Sequence, residues 1–165
     1  MPYSIAELNQ MSQVAFIDAL GAVFEDTPAI AQTAWERRPF TSIEDLHQTM
    51  VSIVHRLSEE DQLRLICAHP DLGSKAKMAE ASIQEQAGAG LDRLSLDEFE
   101  RFQSLNQQYR ERFGFPFIIA VKNHTKTSIL QTFEQRLQND ANAERQQAIA
   151  EISQIARFRL ESLIA

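Results

Sequence analysis

Ser4/Glu7, Thr41/Glu44, Ser82/Glu85 and Ser95/Glu98 each place a hydroxyl side chain three positions ahead of a glutamate. This is the spacing of a helix capping box, in which each side chain satisfies a backbone N–H at the helix start. Behind Ser4 run Val14, Ile17, Leu20 and Phe24, and behind Thr41 run Ile43, Leu46, Met50, Ile53 and Leu57. Behind Ser95 come Phe99, Phe102, Leu105, Tyr109 and Phe113, closed by Gly114. Apolar residues at this period form one face of an amphipathic helix. Thr27-Pro28 reads as N-cap and first residue of a short helix with Ile30 and Trp35. Ser58 precedes Glu59-Glu60-Asp61, an acidic first turn suited to the helix dipole, and Pro70 sets that helix's end near His69. Two more apolar series follow, Ile129/Phe133/Leu137 and Ile149/Ile152/Ile155/Leu160/Leu163.

Only 5 Gly and 5 Pro occur among 165 residues, which argues against a turn-rich all-β fold. Phe115-Pro116-Phe117-Ile118-Ile119-Ala120-Val121 is the exception to the helical pattern, being apolar, β-prone and without a partner strand. It reads as extended chain buried between helices. Buried backbone groups must find partners, and a ligand can be one of them. The expectation is a single all-α domain over 1–165, a bundle of about seven or eight helices with one buried extended segment.

With 23 acidic against 16 basic residues the net charge is −7, which disfavours phosphate backbones and therefore nucleic acid. No apolar run approaches a membrane span, and no signal peptide or Ser-Lys-Leu address is visible, so a cytoplasmic protein is expected. A lone Cys67 offers neither a disulfide nor a thiolate cluster. His47, His55 and His124 lack metal spacing, and Gly73-Ser74-Lys75 lacks the upstream glycine of a phosphate loop. Lys75, Lys77, Lys122 and Lys126 lack the apolar surround of a Schiff-base lysine. No metal and no cofactor are expected.

Three segments carry candidate chemistry. In Ala68-His69-Pro70-Asp71-Leu72 a histidine sits at a helix end, with a pKa range suited to proton transfer or, equally, to capping the helix. In Ser82-Ile83-Gln84-Glu85-Gln86, Glu85 is either a capping glutamate or, with Gln86, part of a first turn that binds a polar ligand. In the third, the backbone of Phe117 to Val121 is the candidate and the phenylalanine rings are core.

His69-Pro70-Asp71-Leu72, then Ser82-x-x-Glu85-Gln86 leading into Ala89-Gly90-Leu91, then Tyr109-x-x-Arg112-Phe113-Gly114-Phe115-Pro116-Phe117-Ile118 resemble, in this order, the OHCU decarboxylases. OHCU is 2-oxo-4-hydroxy-4-carboxy-5-ureidoimidazoline, a late intermediate of urate breakdown. The likeness extends from Trp35-x-x-Arg38-Pro39-Phe40 to Ile155-Ala156-x-x-Arg159-Leu160. It implies an all-α, cofactor-independent homodimer that converts OHCU to (S)-allantoin and carbon dioxide. By position, His69 and Glu85 match the catalytic pair. Pro70, Ser82, Ile83, Gln84, Gln86, Phe117, Ile118, Ile119, Ala120, Val121 and Arg159 match substrate-binding positions. The stretch between His69 and Ser82 is a few residues shorter than in vertebrate-like members and carries Gly73-Ser74 where many have Ala-Gly. The absent peroxisomal address fits a bacterial type. The competing reading is a J-domain co-chaperone, whose signature is also His-Pro-Asp. J-domains precede it with a basic helix, and the acidic Glu59-Glu60-Asp61 start disfavours docking to an acidic partner.

Overall fold

The computed structural model describes residues 2–73 and 80–165, with backbone only at 80 and 81. Lys75 and Lys77, and the Ser74 of the shortened stretch, lie outside the described residues. Among the described residues there are nine α-helices and one short 3-10 turn: α1 Ile5–Gln10, α2 Gln13–Leu20, α3 Ala29–Trp35, α4 Ile43–His55, α5 Glu59–Cys67, α6 Glu80–Gly88, α7 Leu96–Phe113, the turn Val121–Asn123, α8 Lys126–Arg136 and α9 Ala141–Leu163. The protein is all-α. No helix among the described residues is long and apolar enough to cross a membrane.

The chain gathers into two compact units, one of residues 1–68 with 153–165 and one of residues 69–152. In the first, the capping box at Ser4 forms, but the helix it starts ends at Gln10. Met11 is extended and Ser12 caps a separate helix by accepting from Ala15 N–H. The single long helix expected behind Ser4 is therefore two short ones, and Val14, expected in the apolar stripe, is 71% exposed. Phe16, Leu20, Ile30, Leu46, Met50 and Leu65 are buried in this unit's core. α2 packs on α3 and α3 on α4. The Thr41 box is shifted by one residue: Ser42 accepts from Asp45 N–H, and the Asp45 carboxylate accepts from Thr41 N–H at 2.9 Å. Pro28, not Thr27, is the residue ahead of α3. Tyr3 N–H donates to Leu163 C=O and Ala165 N–H to Tyr3 C=O, both at 2.8 Å, which fastens the first residues to the end of α9.

In the second unit the Ser95/Glu98 box caps α7, and Gly114 ends it in the left-handed region at φ 79°. A side chain there would be strained, so glycine turns the chain sharply into the segment that follows. Phe115 to Val121 is buried throughout, and Pro116 to Ala120 is extended as expected, whereas Val121, expected to continue the run, already opens the 3-10 turn. Its aromatic residues are core. Phe117 stacks on Phe133 of α8 at 3.8 Å between centroids, and Tyr109 meets Phe115, Phe117 and Phe133 edge-on at 5.4–5.9 Å. Burying a ring of this size stabilises by roughly 1.5–3 kcal/mol, enough to hold a strand-like segment that has no ladder.

Candidate active site

α5 ends at Cys67, and Ala68 closes it through N–H bonds to the carbonyls of Arg64 and Leu65. His69 follows in a buried position at 6% exposure. Asp71, Leu72 and Gly73 of the short run after it are each tied down. Asp71 Oδ1 accepts from Arg110 Nε at 2.9 Å, and Leu72 C=O accepts from Asn106 Nδ2 at 2.9 Å. Gly73 N–H donates to Gln86 Oε1 at 3.1 Å. Gly73 has φ 67°, a left-handed conformation that favours glycine, and a Cβ there would press on Leu94 Cδ1 at 2.8 Å.

Gln86 lies on α6, which alters the reading of Ser82. The helix already includes Glu80, so Ser82 is inside it and does not cap it. Glu85 and Gln86 are likewise beyond the first turn, and the expected use of free N–H groups there is overturned. Ser82, Glu85 and Gln86 are spaced i, i+3, i+4 and share a face. Ser82 and Gln86 are buried and Glu85 half-buried. Ile83, 52% exposed, and Gln84 are on the outer face. α6 also packs on the 3-10 turn Val121–Asn123 that closes the extended segment. The three segments singled out in the sequence thus belong to one unit. The His69 loop is bonded to α6, and α6 is packed against the end of the Phe117–Val121 run.

An open polar groove of about 520 Å³ lies beside Asp71 and is lined by α7 side chains including Glu100, Gln107 and Arg110. Neither His69, Glu85 nor the extended segment lines it.

A buried polar cluster, absent from the sequence reading, backs the extended segment. Glu144 is fully buried and accepts from Tyr109 Oη at 2.5 Å, Arg136 Nε at 2.8 Å and Asn139 Nδ2 at 2.9 Å. Arg136 Nη1 donates to Ile118 C=O at 2.6 Å. Burial, then the Glu144 contact, pushes the Tyr109 hydroxyl well above its usual range, so it is a donor throughout. Burial also raises the Glu151 carboxyl, against the opposing pull of Arg136, His124 and the Ala120 N–H. The signal for these residues was available. Asn106, Arg136 and Glu144 occupy apolar positions of their helices, between or beside Phe102 and Tyr109, Phe133, and Ala148. A polar residue at a core phase must have a partner.

Arg159 lies in the first unit and is buried, whereas Arg157, two residues earlier and so on a different face of the helix, is better solvated. Its ion-pair partner is Glu25 at 3.0 Å, and Nη1 reaches the carbonyls of Ala22 and Val23. Glu161, on the same helix, pairs with Arg157 at 2.7 Å. No group of three or more His, Cys, Asp or Glu among the described residues is placed to hold a metal ion. His47 Nε2 meets Ser153 C=O at 2.8 Å and His124 Nδ1 meets Ser128 Oγ at 3.0 Å, both structural contacts.

Residues 9–161 match the OHCU decarboxylase family. The chain belongs to that family. A 2-oxo-4-hydroxy-4-carboxy-5-ureidoimidazoline decarboxylase of Halalkalicoccus jeotgali is 44% identical over 160 residues, covering 97% of this chain and 91% of that one. The uric acid degradation bifunctional protein PucL of Bacillus subtilis is 46% identical over 98% of this chain, which spans 33% of that longer protein. A crystal structure of (S)-allantoin synthase superposes with a TM-score of 0.82 at 30% identity, over 99% of this chain and 54% of that one. The matched residues 9–161 include His69, Glu85 and the Phe117–Val121 run.

Proposed function

We infer that this chain decarboxylates OHCU to (S)-allantoin and carbon dioxide, with His69 as general acid and Glu85 as the residue that orients and polarises the substrate. The family match over residues 9–161 carries the activity. The bond from the Gly73 N–H to Gln86 supports the assignment of residues, because it couples the His69 loop to the helix that bears Glu85.

The reaction breaks the bond between a ring carbon and its carboxylate, and the electron pair stays on the ring. The electron-poor imidazoline ring is itself the sink for that pair. The protein's tasks are orientation, charge placement and delivery of one proton to one face. The carboxylate is negative before the step and leaves as neutral carbon dioxide, so a cation held tightly against it would favour the ground state. Arg159 is therefore assigned to ring or ureido oxygens, where charge develops, and the family pattern alone supports that assignment. Glu85 accepts from the 4-hydroxyl or a ring N–H. Pro70, Ser82 and Gln86 complete the contacts around it, Ile83 and Gln84 being turned to the outer face of α6, and backbone groups of Phe117 to Val121 hold the planar amide edges. His69 then protonates the enol carbon from one side. Residues 1–165 act as one catalytic domain, in a cytoplasmic homodimer. Family membership disfavours the co-chaperone reading.

General acid catalysis is worth roughly 10²–10⁴-fold. His69→Asn should lose at least that factor in kcat while its circular dichroism matches that of the parent. A folded variant with near-normal turnover would remove His69 from the mechanism.

A further inference from the structure

The polar backbone atoms of the buried segment divide into two sets. In extended chain, successive residues turn their N–H and C=O groups to opposite sides. Ile118 C=O accepts from Arg136 Nη1 at 2.6 Å, and two residues on, the Ala120 N–H lies on the side of the Glu151 carboxyl, whose proton affinity it lowers. Both groups therefore face the protein's own charged cluster. Planar peptides settle the other side. The Ile119 N–H is antiparallel to the Ile118 carbonyl, and the Ile119 carbonyl is antiparallel to the Ala120 N–H. Among the described residues neither Ile119 group has a hydrogen-bond partner. A donor and an acceptor side by side form the complement of a cyclic amide or ureide edge.

We propose that Arg136 is a positioning residue for this reaction: by holding Ile118 C=O it sets the peptide plane that presents Ile119 N–H to the substrate. This rests on the assignment of the Phe117–Val121 backbone to substrate. The orientation of Arg136 is over-determined. Its Nε is fixed by Glu144 at 2.8 Å, and its guanidinium lies over the Phe117 ring at 4.4 Å from the centroid. Glu144 is itself held by the Tyr109 hydroxyl. The pairing is not the bidentate one that would maximise ion-pair strength, because Nη1 is given to the carbonyl and Nη2 has no partner among the described residues. A buried ion pair is a poor source of stability, but a planar fork is well suited to joining a carboxylate and a carbonyl at a fixed angle. Lysine, with one nitrogen, cannot reproduce it.

The test uses (S)-allantoin as ligand and the backbone amide resonance of Ile119 as reporter. In the parent protein, adding (S)-allantoin should move the Ile119 resonance. An unmoved resonance under saturating ligand would overturn the backbone assignment, and the proposal with it. Arg136→Lys, which keeps the charge beside Glu144, should weaken (S)-allantoin binding and raise KM for OHCU by about tenfold, the worth of one well-placed hydrogen bond. Tyr109→Phe, which only loosens Glu144, should raise both by a smaller factor and serves where the lysine variant folds poorly. Ile129→Val, buried on the same helix α8, should lower the melting temperature without changing either constant. A shifted Ile119 resonance with parental affinity in the folded Arg136 and Tyr109 variants would overturn the positioning role alone and leave the cluster purely structural.

Discussion

Glu85 and Gln86 are adjacent in sequence but differ in environment. Gln86 is buried and committed to the Gly73 N–H, whereas Glu85 is half-buried on the same face of α6. Because Ser82 is inside the helix, Glu85 is not the third residue of a capping box, and a capping role no longer competes for it. Glutamate and glutamine have nearly equal helix propensity. Glu85→Gln should therefore change stability by about 0.5 kcal/mol or less, the range of substitutions that spare packing, while kcat/KM for OHCU falls at least about a hundredfold. Urea titration and initial rates on the same preparation check this, and an active, equally stable variant would deny Glu85 a catalytic charge. Arg159 and Arg157 make a matched pair. Arg157 joins Glu44 and Glu161 in half-exposed ion pairs, and Arg157→Lys should alter stability by no more than about 0.5 kcal/mol and leave turnover unchanged. Arg159→Lys loses the planar fork and should lower kcat/KM about tenfold or more. Equal rates per folded molecule in the two variants would leave Arg159 as the partner of Glu25 and nothing more.

The elements legible from the sequence were those specified by local chemistry. The boxes at Ser4 and Ser95, the cap at Ser58 and the stop at Gly114 each involve groups within four residues of one another, and all four form. The failures have the same origin. Ser12 and Ser42 offered caps that competed with Ser4's continuation and with Thr41, and short-range spacing does not rank such rivals. Ser82 fits the capping pattern by spacing alone, while its helix begins earlier. The extended segment was legible because β-prone apolar residues without a partner strand have few alternatives. What holds it was not, since Arg136 of α8, itself held by Glu144 of α9, reaches Ile118 C=O from a different element. Glu151 makes that element pH-sensitive. Its carboxyl is raised by burial, with Arg136, His124 and the Ala120 N–H opposing and Glu144 adding to the rise. The folded state therefore keeps this proton to higher pH than the unfolded chain, whose ordinary value is 4.5. The associated stability is present below that value and is lost as pH rises through the folded pKa. Glu151→Gln should gain stability relative to the parent as pH rises from about 4.5, then level off, in urea unfolding curves taken at successive pH values. Parallel curves for parent and variant would contradict it.

At the scale of the whole molecule, a chain with a net charge of −7 and a single cysteine belongs to a family of decarboxylases, and the proposed mechanism places the electron sink in the substrate ring. The His69 loop, α6 and the end of the extended segment are linked within the second unit through Gln86 and the packing of α6 on the Val121–Asn123 turn. The most direct measurement follows optical rotation after urate is oxidised and hydrolysed in situ to fresh OHCU. With the protein present, the account predicts prompt formation of a single enantiomer, (S)-allantoin, with release of one carbon dioxide per molecule. The uncatalysed control yields racemic product slowly. Racemic allantoin at the uncatalysed rate, in the presence of folded protein, would contradict the account.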